Sequence, residues 1–297
     1  MRRLDWLMII ALVIGAIATK VLDYDNLPSD PRNPRRPATE TFEPKFWDQE
    51  TRGWLAQAPS KTGKENPAFA QLPSEGIIQQ DSKPSSSVGS AFSISDRGLW
   101  LTARHVVEGC DRTLIQTGHK KAMRVRRIDQ HPNADIAVLR TDGAPPSLAF
   151  ADTNRALSDA YGIGFPKGDP GAIHGRYIGE MTMRHRGRNG YRERVNAWSE
   201  RSRIPSRTGS LGGLSGGAVL DDQGNIIGIV QAESRRRGRV MTAKLETIHR
   251  YLERVSAKPD TQLSRDTNFE LDARDYPLSA RQLITRLRVA KVLCFVN

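Results

Sequence analysis

From Val88 to Lys244 the chain is cut into short apolar or alternating runs, "SAFSI", "LWLTA", "RTLIQT", "DIAVLR", "AYGIGF", "GAVL", "NIIGIV" and "RVMTAK", separated by Gly, Asp and Asn. Runs of about four to eight residues bounded by turn formers read as β-strands. Helical spacing emerges late, in "KLETIHRYLERV", Lys244 to Val255, where Leu245, Ile248, Tyr251 and Leu252 share one face. Many short strands followed by one amphipathic helix predict an all-β domain, a barrel or sandwich closed by that C-terminal helix. Self-similarity at the periods of solenoids or propellers is absent.

The flanks have a different texture. Arg2 and Arg3 precede an apolar run from Trp6 to about Thr19 that contains Ala16-Ile17-Ala18. This is the layout of a secretory signal, either cleaved after Ala18 or kept as an anchor, and it places the rest of the chain outside the cytoplasm. Residues 23–87 are rich in Pro, Ser, Asp, Arg and Gln and read as a disordered tether, because so little apolar material cannot offset the entropy of ordering. Trp47 and Trp54 lie within it and could dock on a partner or on the domain itself, although scattered tether aromatics mostly do neither. The resulting division is a signal or anchor over 1–22, a tether over 23–87, a β domain over 88–256 and a tail of unknown role over 257–297. That tail ends in "ARQLITRLRVAKVLCFVN", readable as a docking helix, a partner-binding tail or a membrane-surface segment.

Cys110 and Cys294 are the only cysteines, and in an oxidising compartment they either pair across a long loop or both stay free. Neither has metal-ligand spacing, so no metal or other cofactor is expected. The formal charge of +12 would suit a nucleic-acid binder, but the basic residues are scattered and no finger, helix-turn-helix or aromatic RNA-binding signature accompanies them. Nucleic acid is therefore not an expected partner. Two basic runs, "MRHRGRNGYRER" (Met183 to Arg194) and "SRRRGR" (Ser234 to Arg239), are either solvated faces or a means of attraction to anionic membrane or cell-wall surfaces.

One stretch concentrates backbone freedom around a hydroxyl: "GGLSGGAV", Gly212 to Val219. Serine is a poor nucleophile at neutral pH and needs a base, a group to orient that base, and donors for the oxyanion. Glycines beside it let backbone N–H groups turn toward one point and let a substrate approach without meeting a Cβ. Upstream, "TARHVV" puts His105 after an apolar strand, and "HPNADIAVLR" puts Asp135 before another. Each is weak alone, since a turn serine, a surface histidine and a turn aspartate are common. Together, in the order His, Asp, Ser, they specify a hydrolytic centre.

The segments "TARHVV", "ADIAVL", "GIGFP" and "GLSGGAVLDDQGNIIGIV" resemble the chymotrypsin-like serine proteases, in particular the bacterial high-temperature-requirement (Deg-type) members. The resemblance spans about Ser87 to Val255. It implies two perpendicular six-stranded β-barrels, with catalytic His105 and Asp135 from the first, Ser215 from the second, and an oxyanion hole made by the N–H groups of Gly213 and Ser215. It also implies protein or peptide substrates, with Gly209 at the pocket floor and Gln231, Ala232 and Glu233 on the strand that pairs with the substrate. Leu214 stands where digestive relatives carry aspartate and Deg-type relatives asparagine. Gly209 supplies no pocket-floor acid, although Glu233 could draw a basic residue from the wall. The forty-odd residues after Val255 are too few for the peptide-binding PDZ domain of many Deg-type relatives. The function implied is an envelope serine endopeptidase; the alternative is a catalytically silent protease fold that binds envelope proteins or anionic polymers.

Overall fold

The short runs become strands because each has an apolar face to bury: "LWLT" and "AVL" are buried throughout, and "IIGIVQAES" is buried until its last residues. The computed structural model describes residues 47–48, 51–56, 60–61, 72–79, 85–186, 190–206, 209–260 and 270–297. In the amino-terminal half lie β1 (Ser60–Lys61), β2 (Glu75–Gln79), β3 (Ser87–Ser95), β4 (Leu99–Thr102), β5 (Arg112–Gly118), β6 (Lys121–Arg124), β7 (Arg127–Gln130) and β8 (Ala137–Arg140). Then follow β9 (Asp159–Gly164), β10 (Gly171–Arg186), β11 (Tyr191–Ile204), β12 (Ala218–Leu220), β13 (Ile226–Ser234), β14 (Arg239–Ala243) and β15 (Val289–Phe295). Helix is scarce: α1 (Arg104–Val107), α2 (Leu245–Arg254) and α3 (Tyr276–Thr285).

Strands β9 to β14 form a closed six-stranded barrel, in the order β9-β10-β11-β14-β13-β12, with β12 pairing back to β9. The other sheet runs β6-β5-β15-β3-β4-β8-β7 and is open between β6 and β7. The expected all-β, two-barrel architecture is present, the second barrel closed with six strands and the first a half-barrel of seven. Its edge strands β6 and β7 are exposed at both ends and half-buried between, and do not pair with each other. The predicted helix is α2, with Leu245, Ile248, Tyr251 and Leu252 buried as spaced.

Two boundaries shift. The tail is not an appendage: β15 pairs antiparallel with both β3 and β5 at the middle of the first sheet, and α3 packs nearby with Leu283 and Ile284 buried. "VAKVLCF" is buried at all positions but Lys291, the pattern of an inner strand covered on both faces. This strand also settles the cysteines, because Cys110 and Cys294 form a disulfide with Cα atoms 5.4 Å apart. At the other end, Trp47 and Trp54 are only 2% and 3% exposed, Trp47 lying 4.8 Å from the Phe165 ring. An indole buries enough area to hold a segment that is otherwise polar. The described part of 23–87 also contributes β2, parallel to β10. The signal or anchor expected over 1–22 lies outside the described residues, and among those described no helix is long and apolar enough to cross a membrane.

Candidate active site

Helix α1 is a single turn that begins where β4 ends, and it carries His105. Its orientation is fixed by Arg104, whose guanidinium donates to the carbonyls of His131 (3.1 Å) and Pro132 (3.0 Å) and to Glu108 Oε1 (2.6 Å). Those carbonyls belong to the turn that presents Asp135, so one side chain ties the histidine's helix to the aspartate's loop. Asp135 takes the His105 backbone N–H on Oδ1 (2.9 Å) and the imidazole Nδ1 on Oδ2 (2.7 Å). With Nδ1 engaged, the imidazole is held in one orientation and Nε2 is left for other chemistry.

Burial works against a charged His105, but the adjacent Asp135 carboxylate outweighs it and raises the imidazole above its ordinary value. Burial likewise pushes Asp135 up, yet the charge and hydrogen bonds of His105 leave its carboxyl below the usual aspartate range. The aspartate side chain is 1% exposed, whereas the imidazole is 39% exposed and reachable from solvent.

Ser215 sits on the loop entering β12. Gly213 and Gly216 have φ of +96° and +83°, values that L side chains rarely adopt. A Cβ on Gly213 would stand 2.5 Å from the Phe165 carbonyl, so the loop needs glycine for space as well. Neighbouring N–H groups are consumed: Gly212 by Ser210 Oγ, Leu214 by Leu211 O, Gly216 by Val230 O and Gly217 by Leu214 O. Among the described residues none accepts from the N–H of Gly213 or of Ser215, the pair named for the oxyanion. Leu214 is fully buried and anchors the loop from beneath.

This loop is seated against the half-barrel. Ser90 N–H donates to Ser215 O (2.9 Å), Ser90 Oγ donates to Gly213 O (2.8 Å), and a Cβ on Gly216 would overlap Ser90 O and Thr102 Oγ1 and lie 3.0 Å from Ala103 N. Ala103 is the N-cap of the His105 helix. From the other side, the Ser215 hydroxyl donates to the Gln231 carbonyl at 3.4 Å, a long and weak bond, while Gln231 Nε2 donates to Asp135 O at 3.2 Å. His105, Asp135 and Ser215, separated in sequence, are thus joined through Gln231 and the Gly216–Ala103 contact at the junction of the two sheets.

Residues 89–229 match the family model of the trypsin-like peptidase domain. The chain is similar over 84 residues, at 32% identity, to a DegP-like periplasmic serine endoprotease of Halomonas elongata, covering 28% of this chain and 18% of the relative. A second DegP-like protein, from Pseudomonas savastanoi pv. phaseolicola, is 34% identical over 69 residues, which are 23% of this chain and 14% of its own. The chain thus spans less than a fifth of the length of these relatives. Among solved structures, the active form of the Rv3671c protease of M. tuberculosis is 18% identical with a TM-score of 0.49, covering 67% of this chain and 97% of that one. The HtrA-type protease AlgW with a decapeptide is 22% identical with a TM-score of 0.46, covering 57% and 51%.

Beside Ser215 the protein has a cavity of about 230 Å³, walled by Leu211, Gly212, Val230, Gln231, Ala232 and Glu233 among others. Three of the four residues named for substrate thus line it. Gly209 does not: it is exposed, with Lys167 Nζ as the nearest neighbour a side chain would meet at 3.5 Å, and the wall starts one residue later at Ser210. Glu233 is already engaged, taking the Leu211 N–H on Oε2 (2.8 Å) and lying 3.8 Å from Arg203, which Glu200 holds. Sequence reasoning missed Ser90, Arg104 and above all Glu193, whose carboxylate takes the Asp135 N–H (2.8 Å) and the Gln231 side-chain amide (2.8 Å). In "YRERVNAW" that glutamate reads as one more charge of an alternating strand.

Proposed function

We propose that the chain is an exported serine endopeptidase that hydrolyses peptide bonds of bacterial envelope proteins through an acyl-enzyme. The observation that carries the reading is the hydrogen-bonded His105–Asp135 pair linked through Gln231 to Ser215, beside a loop whose Gly213 and Ser215 N–H groups meet no acceptor among the described residues. Ser215 Oγ leaves the weak Gln231 contact and attacks the scissile carbonyl carbon as its proton passes to His105 Nε2. The N–H groups of Gly213 and Ser215 receive the oxyanion, each worth about 3 kcal/mol in the transition state. Collapse breaks the C–N bond, the imidazolium gives its proton to the departing amine, and water then repeats the sequence on the acyl-serine to release the acid. Asp135 keeps the imidazole in the productive tautomer throughout.

The edge at Gln231, Ala232 and Glu233 pairs with the substrate backbone, and the adjacent cavity takes a side chain of moderate size. Because Glu233 is occupied in holding Leu211 and facing Arg203, it gives little preference for a cationic side chain. The names of the DegP-like relatives and the basic, apolar amino terminus both favour the periplasm or the periplasmic face of the inner membrane. The exposed arginines Arg235, Arg236 and Arg237 favour approach to anionic surfaces there. Degradation of an unfolded casein by the full chain, with Ser215→Ala as control, tests the activity. Cleavage by the parent alone supports it, and equal turnover by both samples places the hydrolysis elsewhere.

A further inference from the structure

Glu193 is a buried carboxylate that the hydrolytic reading leaves unused. It projects from β11 of the closed barrel, its side chain 2% exposed, to the turn of the half-barrel that bears Asp135. Oε2 receives the Asp135 backbone N–H and Oε1 receives Gln231 Nε2, both at 2.8 Å. Two donors therefore face two oxygens of one carboxylate, an arrangement that only an anion satisfies fully, since a protonated acid or an amide turns a donor toward one of them. Gln231 continues the chain to Asp135 O, and its own carbonyl holds the Ser215 hydroxyl. We propose that Glu193 is a positioning residue of the hydrolytic centre: its carboxylate clamps the β10–β11 ribbon onto the Asp135 turn and sets Asp135, and through it His105, for proton transfer. This rests on the endopeptidase reading.

The surroundings make the clamp responsive to protons. Burial pushes the Glu193 carboxyl up to about 7, with the negative charge of Asp135 adding to the rise and the hydrogen bonds from Gln231 and Asp135 opposing it. The other titratable and charged groups around it are His105, Arg104 and Glu108 from the α1 side, Tyr191 on its own strand and His185 on β10. His185 Nε2 stands 3.8 Å from Glu193 Oε2, and burial lowers that imidazole, leaving it neutral near neutrality. The His185 ring stacks on Tyr191 at 4.2 Å, and the Arg104 guanidinium lies 5.4 Å above the Tyr191 ring, so the ribbon meets the His105 helix at a second point. An ionised Glu193 holds both donors, whereas a protonated one accepts more weakly at one oxygen and loosens the Asp135 turn. Hydrolytic competence is therefore gated by a second ionisation besides that of His105.

The test follows the rate of labelling by a fluorophosphonate probe between pH 5 and 9 in the full-length parent, Glu193→Gln and Gln231→Leu, with Ser215→Ala as blank and thermal midpoints recorded alongside. The parent should show two acid-side inflections. Glu193→Gln should lose one of them and label about tenfold more slowly on the alkaline plateau. Gln231→Leu keeps the carboxyl but removes a donor, so the same inflection should move to higher pH; this variant serves if Glu193→Gln does not fold. A Glu193→Gln profile that overlays the parent's, an unmoved inflection in Gln231→Leu, or a lowered thermal midpoint with unchanged inflections overturns the positioning role while labelling of the parent still supports the endopeptidase. An unlabelled parent overturns both.

Discussion

At the scale of single residues, the proposed hydrolysis assigns its pH behaviour to His105 and Asp135. The imidazole must be neutral to take the Ser215 proton, and Asp135 raises it above the ordinary 6.5, so the hydrolysis rate should climb with an inflection above that value. Asp135→Asn would remove the anion and leave the wrong tautomer; turnover of a peptide substrate should fall about 10⁴-fold with the thermal midpoint far less affected. Glu193 adds a stability effect of opposite usefulness. Its folded value, about 7, is above the unfolded 4.5, so between these the folded state holds a proton the unfolded chain has released. Stability from this group is thus lost as pH rises through that window. In denaturant titrations at pH 5 and 8, the stability of the parent relative to Glu193→Gln should be smaller at pH 8; a difference equal at both pH values would contradict the linkage. His105, Asp135 and Ser215 could be read from sequence because each stands beside an apolar run with few neighbours of similar chemistry. Glu193 could not, since its partners Asp135 and Gln231 are 58 and 38 residues away.

Secondary-structure elements show where local pattern misleads. The strands of the closed barrel follow their alternation, and α2 its spacing, because each has one apolar face against one core. Strand β15 was hidden by a preceding helix in a run of continuous apolar and basic residues, and nothing local says that its partners are β3 and β5. Trp47 lies in a proline-rich stretch whose average composition reads as solvated, yet its indole packs at a tilt against Phe165, the residue whose carbonyl abuts Gly213. Trp47→Ala should therefore cost about 3 to 5 kcal/mol in thermal or denaturant unfolding, far more than an exposed linker residue would. A change below about 0.5 kcal/mol would return Trp47 to the tether.

Over the whole molecule, the chain's last residues complete the half-barrel, because β15 fills the gap between β3 and β5. The Cys110–Cys294 disulfide spans 184 residues and fastens β15 to the loop that follows the His105 helix. Cys294→Ser should lower stability by about 2 to 5 kcal/mol, seen as a drop in thermal midpoint that added reductant reproduces in the parent. The architecture was legible as all-β with a helix late in the chain, but not the opening of the first barrel, because edge pairing between β6 and β7 depends on how the half-barrel curls. The proposed function rests on a narrower feature, a serine at the seam of the two sheets with a histidine–aspartate pair carried by the opposite one. The most direct measurement is mass mapping after fluorophosphonate treatment of the folded full-length protein. A single adduct on Ser215, abolished by Ser215→Ala and by His105→Ala, is the predicted result; a folded parent that stays unmodified, or an adduct on another residue, would contradict the account.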